Sequence, residues 1–98
     1  MTSDELTTTA PVTAEVIESA LLDFLESRTK ATVEKDQDLF SSGLVSSMFA
    51  MELVVHLEGA YGIAIVGPDL KLDNFRTVRG MSALVLRLRA EAAADSDA

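Results

Sequence analysis

Ser47 is the residue whose type and setting best suit covalent chemistry. It follows the stretch Gly43-Leu44-Val45-Ser46 and precedes an apolar-periodic run that begins with Met48 and Phe49. This order predicts a glycine-containing loop that delivers a hydroxyl to the first turn of a helix. A serine at a helix start is ordinarily a cap, but Ser46 can supply the capping hydroxyl and so leave Ser47 free. We therefore interpret Ser47 as a site where a group is attached.

Hydrolytic catalysis by Ser47 is excluded by the position of the only histidine. His56 lies nine residues further along the same predicted helix, which places it about 180° around the axis and roughly 13 Å away. A nucleophile and its base must lie within hydrogen-bonding distance. The Gly-x-Ser-x-Gly motif is also absent. We predict no catalytic residue in this chain.

No metal site is predicted either. The pair Asp36-x-Asp38 looks like the start of a calcium loop, but the later ligands and the closing glutamate are missing. The chain contains no cysteine, so thiolate ligands and disulfides are impossible. The methionines Met48, Met51 and Met81 fit helical apolar faces, and we expect them to be core or contact residues.

The composition is typical of one small domain. With 98 residues, 48% of them hydrophobic and 5% aromatic, the chain can bury one mostly aliphatic core. A net charge of −8 disfavours binding to nucleic acid. No apolar run is long enough to span a bilayer, and no signal-peptide pattern opens the chain. We expect a cytoplasmic monomer that binds neither nucleic acid nor membranes.

The distribution of charge is uneven. No Lys or Arg occurs between Lys35 and Lys71, although acidic residues continue through that window. These are Asp36, Asp38, Glu52, Glu58 and Asp69. A segment without cations favours a face that meets basic partners. The alternative is an acidic surface that serves only solubility.

The predicted fold is all-α, a small bundle of three principal helices plus one short helix. Thr13 can cap a first helix that ends near Arg28 or Thr29, with Glu15, Glu18, Asp23 and Glu26 on its polar face. A long loop, 30–45, leads to a second helix at Ser47–Ala60, which Gly62 ends. Its expected anchors in the core are Val33, Leu39, Phe40 and Leu44.

The remainder of the chain predicts an extended link at 63–66, a turn or short helical piece at 67–71, and a last helix capped by Thr77. The polar composition of both ends separates them from this domain. We expect a mobile leader at residues 1–12, a single domain at 13–90 and a flexible tail at 91–98.

The chain resembles the acyl carrier proteins over residues 16–88. The likeness rests on the long loop with Phe40 and Gly43, on Ser47 opening a helix, and on Glu52-Leu53 after it. Two further segments carry it, Leu57-Glu58-Gly59-Ala60-Tyr61-Gly62-Ile63 and Asp73-Asn74-Phe75-Arg76-Thr77-Val78. The usual Asp-Ser-Leu triplet of the family reads Ser46-Ser47-Met48 here.

The resemblance implies that Ser47 carries covalent 4′-phosphopantetheine, derived from coenzyme A, whose thiol holds an acyl unit as a thioester. It further implies a non-catalytic protein whose partners are a phosphopantetheinyl transferase and an acyl-loading enzyme, acyltransferase or polyketide synthase. The stretch from Gly43 to Leu53 looks most like discrete carriers of polyketide and antibiotic pathways that hold methoxymalonyl or other glycolysis-derived units.

Two alternatives remain open in the sequence. The carried unit can be an amino-acyl or β-amino-acyl group, or the chain can be a cofactor-free helical adaptor that docks through its second helix. In either carrier interpretation we expect partners to dock beside Ser47. The expected docking residues are Val45, Ser46, Met48, Phe49, Glu52 and Glu58.

Overall fold

The computed structural model describes residues 12–97, with side chains through residue 93, and contains three α-helices and no strand in that range. The helices are α1 at Ala14–Thr29, α2 at Ser47–Tyr61 and α3 at Val78–Asp97. Between α2 and α3 lie two 3₁₀ turns, Gly67–Asp69 and Leu72–Phe75. The predicted all-α bundle is confirmed, with two short turns where one short helix was expected.

The helix ends follow the predicted capping residues. The Thr13 hydroxyl accepts the N–H of Val16 at 3.3 Å, and the Thr77 hydroxyl accepts the N–H of Gly80 at 2.9 Å. α2 ends at Tyr61 and is followed by the C-cap Gly62, whose φ of 65° is the left-handed conformation that glycine adopts without a steric penalty. Each cap satisfies a backbone group that the helix itself leaves without a partner.

The core lies where α1 and α3 pack against each other and where the second 3₁₀ turn fills the gap beside α2. Phe75 of that turn is 2% exposed. The other large, fully buried side chains are mostly aliphatic, as the composition predicts: Ile17, Leu21, Leu25, Leu39, Leu53, Leu57, Ile65, Met81, Val78 and Val85.

The long loop between α1 and α2 is packed against the core and bonded to α3. Val33 and Leu39 are buried, whereas Phe40 and Leu44 pack partly against the core, so the predicted anchors are confirmed. The N–H of Leu39 donates to the carbonyl of Arg76, just before α3, at 2.7 Å, and the N–H of Arg79 in α3 donates to the carbonyl of Lys35 at 3.0 Å. These contacts fix the path of the chain into α2.

Glu18 was expected on the polar face of α1, and this prediction is wrong. The residue is 4% exposed, and its carboxylate pairs with Lys35 Nζ at 3.2 Å and accepts the Ser82 hydroxyl at 3.0 Å. A buried carboxylate needs such partners because desolvation penalises its charge. Periodicity places Glu18 beside the apolar stripe but cannot show that the loop and α3 cover it.

The predicted domain boundaries, at residues 13 and 90, stay a prediction. Residues 1–11 of the expected leader lie outside the described residues, and Val12 packs partly against the core. α3 stays helical to Asp97, so the helix does not end where the expected tail begins at Glu91. Among residues 12–97, no helix has the length and apolar character needed to cross a membrane.

Candidate functional site

The two serines at the start of α2 have different roles. Ser46 has extended backbone dihedrals (φ −93°, ψ 171°), and its hydroxyl accepts the N–H of Phe49 at 3.1 Å. It is therefore the N-cap, as predicted. Ser47 is the first helical residue, is exposed, and its hydroxyl makes no hydrogen bond to the described part of the chain. The structure thus leaves one hydroxyl open to solvent at the helix start.

The loop before Ser47 is held in one conformation by hydrogen bonds within the loop. Gly43 has a φ of 82°, a conformation that a side chain would strain. The N–H of Val45 donates to the carbonyl of Leu39 at 3.1 Å, which ties the residues just before α2 to a buried anchor. The Asp38 carboxylate accepts the N–H groups of Phe40 and Ser41 at 3.1 and 3.0 Å, and the Ser41 bond contributes most to lowering the pKa of Asp38.

The start of α2 also suits a phosphate ester on Ser47. The first turn contains no acidic residue, so no side-chain carboxylate of that turn repels an anion. The N–H groups at a helix N-terminus and the helix dipole favour negative charge there. Ser46, the N-cap, likewise adds no negative charge beside Ser47.

The acidic residues of the cation-free window are not free carboxylates. Each one bonds within the molecule, in most cases to an arginine from outside the window. The pairs are Asp36–Arg79, Asp38–Arg76, Glu52–Arg28 and Asp69–Arg87, while the Glu58 carboxylate accepts the N–H of Ile65 at 2.7 Å. Folding thus brings arginines from outside the window beside four of its five acids, so this segment does not form a surface without cations.

Three of the expected docking residues are buried or make contacts within the protein itself. Val45 is 3% exposed, so its side chain is not available at the surface. Glu58 holds the link after α2 through Ile65. Phe49 is half-buried, with its ring centroid 6.3 Å from that of Phe24. The residues that do remain exposed from that set are Ser46, Met48 and Glu52.

An exposed apolar stripe runs along α2 beside Ser47. Met48, Met51 and Val55 are 82%, 54% and 67% exposed. They succeed one another at intervals of three and four residues, which places them on one helix face. Met51 and Val55 were not expected as docking residues. The sequence feature that could have predicted them is that α2 is apolar on more faces than the bundle can bury.

A small depression lies on the side of α2 that carries Ser47. It has a volume of about 110 Å³ and is bounded by α2 and the segment leading to the second 3₁₀ turn. Its lining residues are Ala50, Met51, Val54, Leu70, Lys71, Leu72 and Phe75. The sequence pattern gave no reason to connect residues 70–72 with Ser47, since only the fold brings them beside α2.

Comparison with known protein families identifies the family of the chain. The sequence model for the phosphopantetheine attachment site matches residues 15–85, which is well over half of the chain. The chain belongs to this family. Its cofactor is covalently attached 4′-phosphopantetheine, and the protein is a carrier protein. The family assignment argues against the cofactor-free adaptor.

Among curated proteins, the chain is similar to D-alanyl carrier proteins of Lactococcus lactis. Those of subsp. cremoris strain MG1363 and subsp. lactis strain IL1403 are each 36% identical to it over 50 residues. The aligned region is 51% of this chain and 63% of each relative. The chain therefore matches less than two thirds of the length of these relatives.

Proposed function

We propose that Ser47 is the residue to which 4′-phosphopantetheine is attached and that the protein presents a bound acyl unit to biosynthetic enzymes without catalysing a reaction itself. The observation that carries this proposal is the difference between the two serine hydroxyls. The Ser46 hydroxyl accepts the N–H of Phe49 and so caps α2, whereas the exposed Ser47 hydroxyl is free to be esterified. When bound, the cofactor supplies a thiol that holds an acyl unit as a thioester.

The attachment is tested by intact mass. Incubation with coenzyme A and a broad-specificity phosphopantetheinyl transferase should add one phosphopantetheine mass to the wild-type protein. Ser47→Ala should remain unmodified, and Ser46→Ala is the matched control that should still be modified. Modification of Ser47→Ala, or an unchanged wild-type mass, would disprove the assignment.

The carried unit has two candidate classes. The segment Gly43–Leu53 resembles carriers of methoxymalonyl-type and related extender units in polyketide biosynthesis, and we place this class first. The similarity to D-alanyl carrier proteins supports an amino-acyl unit as the second. The two classes are distinguished by loading assays on the modified protein. One assay measures transfer of a malonyl group by a polyketide acyltransferase, and the other measures transfer of an alanyl group by an amino-acyl-loading enzyme.

Partner enzymes, the transferase among them, are proposed to dock on the apolar stripe Met48–Met51–Val55 with Ser46 and Glu52 at its rim. Exposed apolar side chains in a contiguous row favour a protein contact. Glu52 already pairs with Arg28, so it contributes less attraction for a basic partner than a free carboxylate would. Apolar burial should therefore dominate recognition.

A further inference from the structure

We propose that Met48 is a reversible oxidation site: a hydroperoxide converts its thioether to a sulfoxide, and the sulfoxide slows attachment of phosphopantetheine to Ser47. This inference rests on the proposed attachment at Ser47 and on docking over the apolar stripe. It concerns the regulation of that site, which the family assignment leaves open.

Methionine is the only sulfur-containing residue type in the chain, which has four Met and no Cys. Before the cofactor is attached, a hydroperoxide therefore meets no thiol on this protein. Met48 is 82% exposed and Met51 54% exposed, whereas Met81 is fully buried in the core. Since oxidation follows access to the sulfur, Met48 should react first, Met51 second and Met81 last.

The oxidation itself needs only the thioether and the hydroperoxide. A lone pair of the Met48 Sδ attacks one peroxide oxygen, the O–O bond breaks and an S–O bond forms. With hydrogen peroxide, a proton moves from the attacked oxygen to the departing one, which leaves as water. The sulfur loses two electrons and the peroxide gains them. No activating base or metal is required, so exposure of the side chain is the condition that matters.

The position of Met48 brings it under any enzyme that modifies Ser47. The two residues are consecutive in the first turn of α2, and such neighbours are separated by about 1.5 Å along the helix axis. Met48 is also the most exposed of the large apolar side chains that the structure describes. An enzyme that reaches the Ser47 hydroxyl therefore covers the Met48 side chain.

Oxidation changes the polarity of this contact without changing the core. A thioether is apolar and adapts to a partner surface, whereas a sulfoxide oxygen is a polar acceptor that must lose its water when it is covered. The Met48 side chain lies outside the buried cluster to which Met81 belongs. A sulfoxide at Met48 should therefore weaken docking and leave the fold intact.

The test begins with the protein before phosphopantetheine is attached. It is treated with hydrogen peroxide, and the peroxide is removed before the transferase and coenzyme A are added, so that neither of these is oxidised. Tryptic peptides locate the sulfoxide, because Met48 and Met51 lie in peptide 36–71, Met81 in peptide 80–87 and Met1 in peptide 1–28. Fragmentation of peptide 36–71 separates Met48 from Met51.

The sulfoxide at Met48 should lower kcat/KM for phosphopantetheine transfer about tenfold. The two methionine sulfoxide reductases, one for each sulfoxide epimer, should restore the rate. Met48→Leu and Met51→Leu are the matched pair, and each is compared with itself before peroxide. Peroxide should slow Met51→Leu as it slows the wild type, and should change the rate of Met48→Leu by less than about twofold.

A Met48 sulfoxide that is modified at the untreated rate, or an equal loss of rate in the two variants, would overturn the inference. A loss that the reductases do not reverse, or one that accompanies a loss of helical circular dichroism, would overturn it too. Each of these results would leave the attachment at Ser47 intact. Failure of the untreated wild-type protein to gain any phosphopantetheine mass would instead disprove the proposed function.

Discussion

Arg28, in the last turn of α1, forms an ion pair with Glu52 of α2. The same guanidinium lies 5.4 Å from the ring centroid of Phe49 and 5.2 Å from that of Phe24. One arginine thus neutralises the carboxylate nearest the apolar stripe and covers the aromatic pair between the helices. We therefore expect apolar burial to contribute more to partner recognition than charge attraction does.

Substitution of Met48 should therefore affect docking more than substitution of Glu52. Met48→Ala should lower kcat/KM for phosphopantetheine transfer about fivefold at both low and high salt, because about 1 kcal/mol of apolar burial is lost. Glu52→Gln should change it by less than about twofold, since exposed ion pairs contribute little. The measurement is the initial rate at limiting transferase in 0.02 and 0.5 M NaCl.

Val16→Ala is the matched control for the loss of an apolar side chain. Val16 is 50% exposed on α1 and lies outside the stripe, so its truncation should leave the transfer rate unchanged. A large, salt-sensitive loss in Glu52→Gln together with a wild-type rate in Met48→Ala would show that carboxylates dominate recognition after all.

Substitution of Ser46 should lower the stability of the fold, whereas substitution of Ser47 should prevent modification without lowering stability. Ser46→Ala should lower the free energy of unfolding by about 1 kcal/mol, because the N–H of Phe49 loses its capping acceptor. Ser47→Ala should change stability by no more than about 0.5 kcal/mol, since its hydroxyl caps nothing. Urea denaturation monitored by circular dichroism measures both. Equal destabilisation by the two substitutions would contradict the assigned cap.

Substitution of Lys35 should lower the free energy of unfolding more than substitution of an ordinary surface lysine does. Lys35→Met leaves the buried Glu18 carboxylate with Ser82 as its remaining side-chain partner, which should cost about 1–3 kcal/mol. Lys30→Met is the control and should stay within about 0.5 kcal/mol of wild type. If urea unfolding gives the same stability for both variants, the ion pair to Glu18 does not stabilise the loop.

Acid should weaken the attachment of the loop to α3. The Arg79 guanidinium of α3, through its hydrogen bond, holds the pKa of the loop residue Asp36 below the ordinary 3.8. A carboxylate with a lowered pKa stabilises the fold above its unfolded pKa, and this contribution disappears as pH falls through the folded pKa. Stability should therefore decrease progressively below about pH 4.

The contribution of Asp36 is measured by comparing Asp36→Asn with wild type. The urea midpoint of the variant should fall less steeply with decreasing pH, and the difference between the two proteins should shrink in 0.5 M NaCl because exposed pairs are screened. Identical pH profiles for the two proteins would show that the Asp36–Arg79 pair does not stabilise the native state.

Local features of the sequence were sufficient to predict the helices and the serine that caps α2. The caps at Thr13, Ser46 and Thr77 and the stop at Gly62 depend on bonds within four residues, so residue type alone reveals them. The spacing of Ser46 and Ser47 likewise determined which hydroxyl caps α2 and which stays free. Apolar periodicity then predicted the three-helix bundle.

Only the tertiary structure decided how the surface around Ser47 is charged. Asp36 and Arg79 are 43 residues apart, and Arg28 and Glu52 are 24 apart, so no local pattern predicts that these pairs form. The burial of Glu18 and the position of Lys71 beside α2 depend in the same way on long-range packing. The sequence alone determined which serine caps α2 and which hydroxyl stays free, because a helix cap is a local interaction. The partners of the surrounding charges were decided by the packing of distant segments against one another.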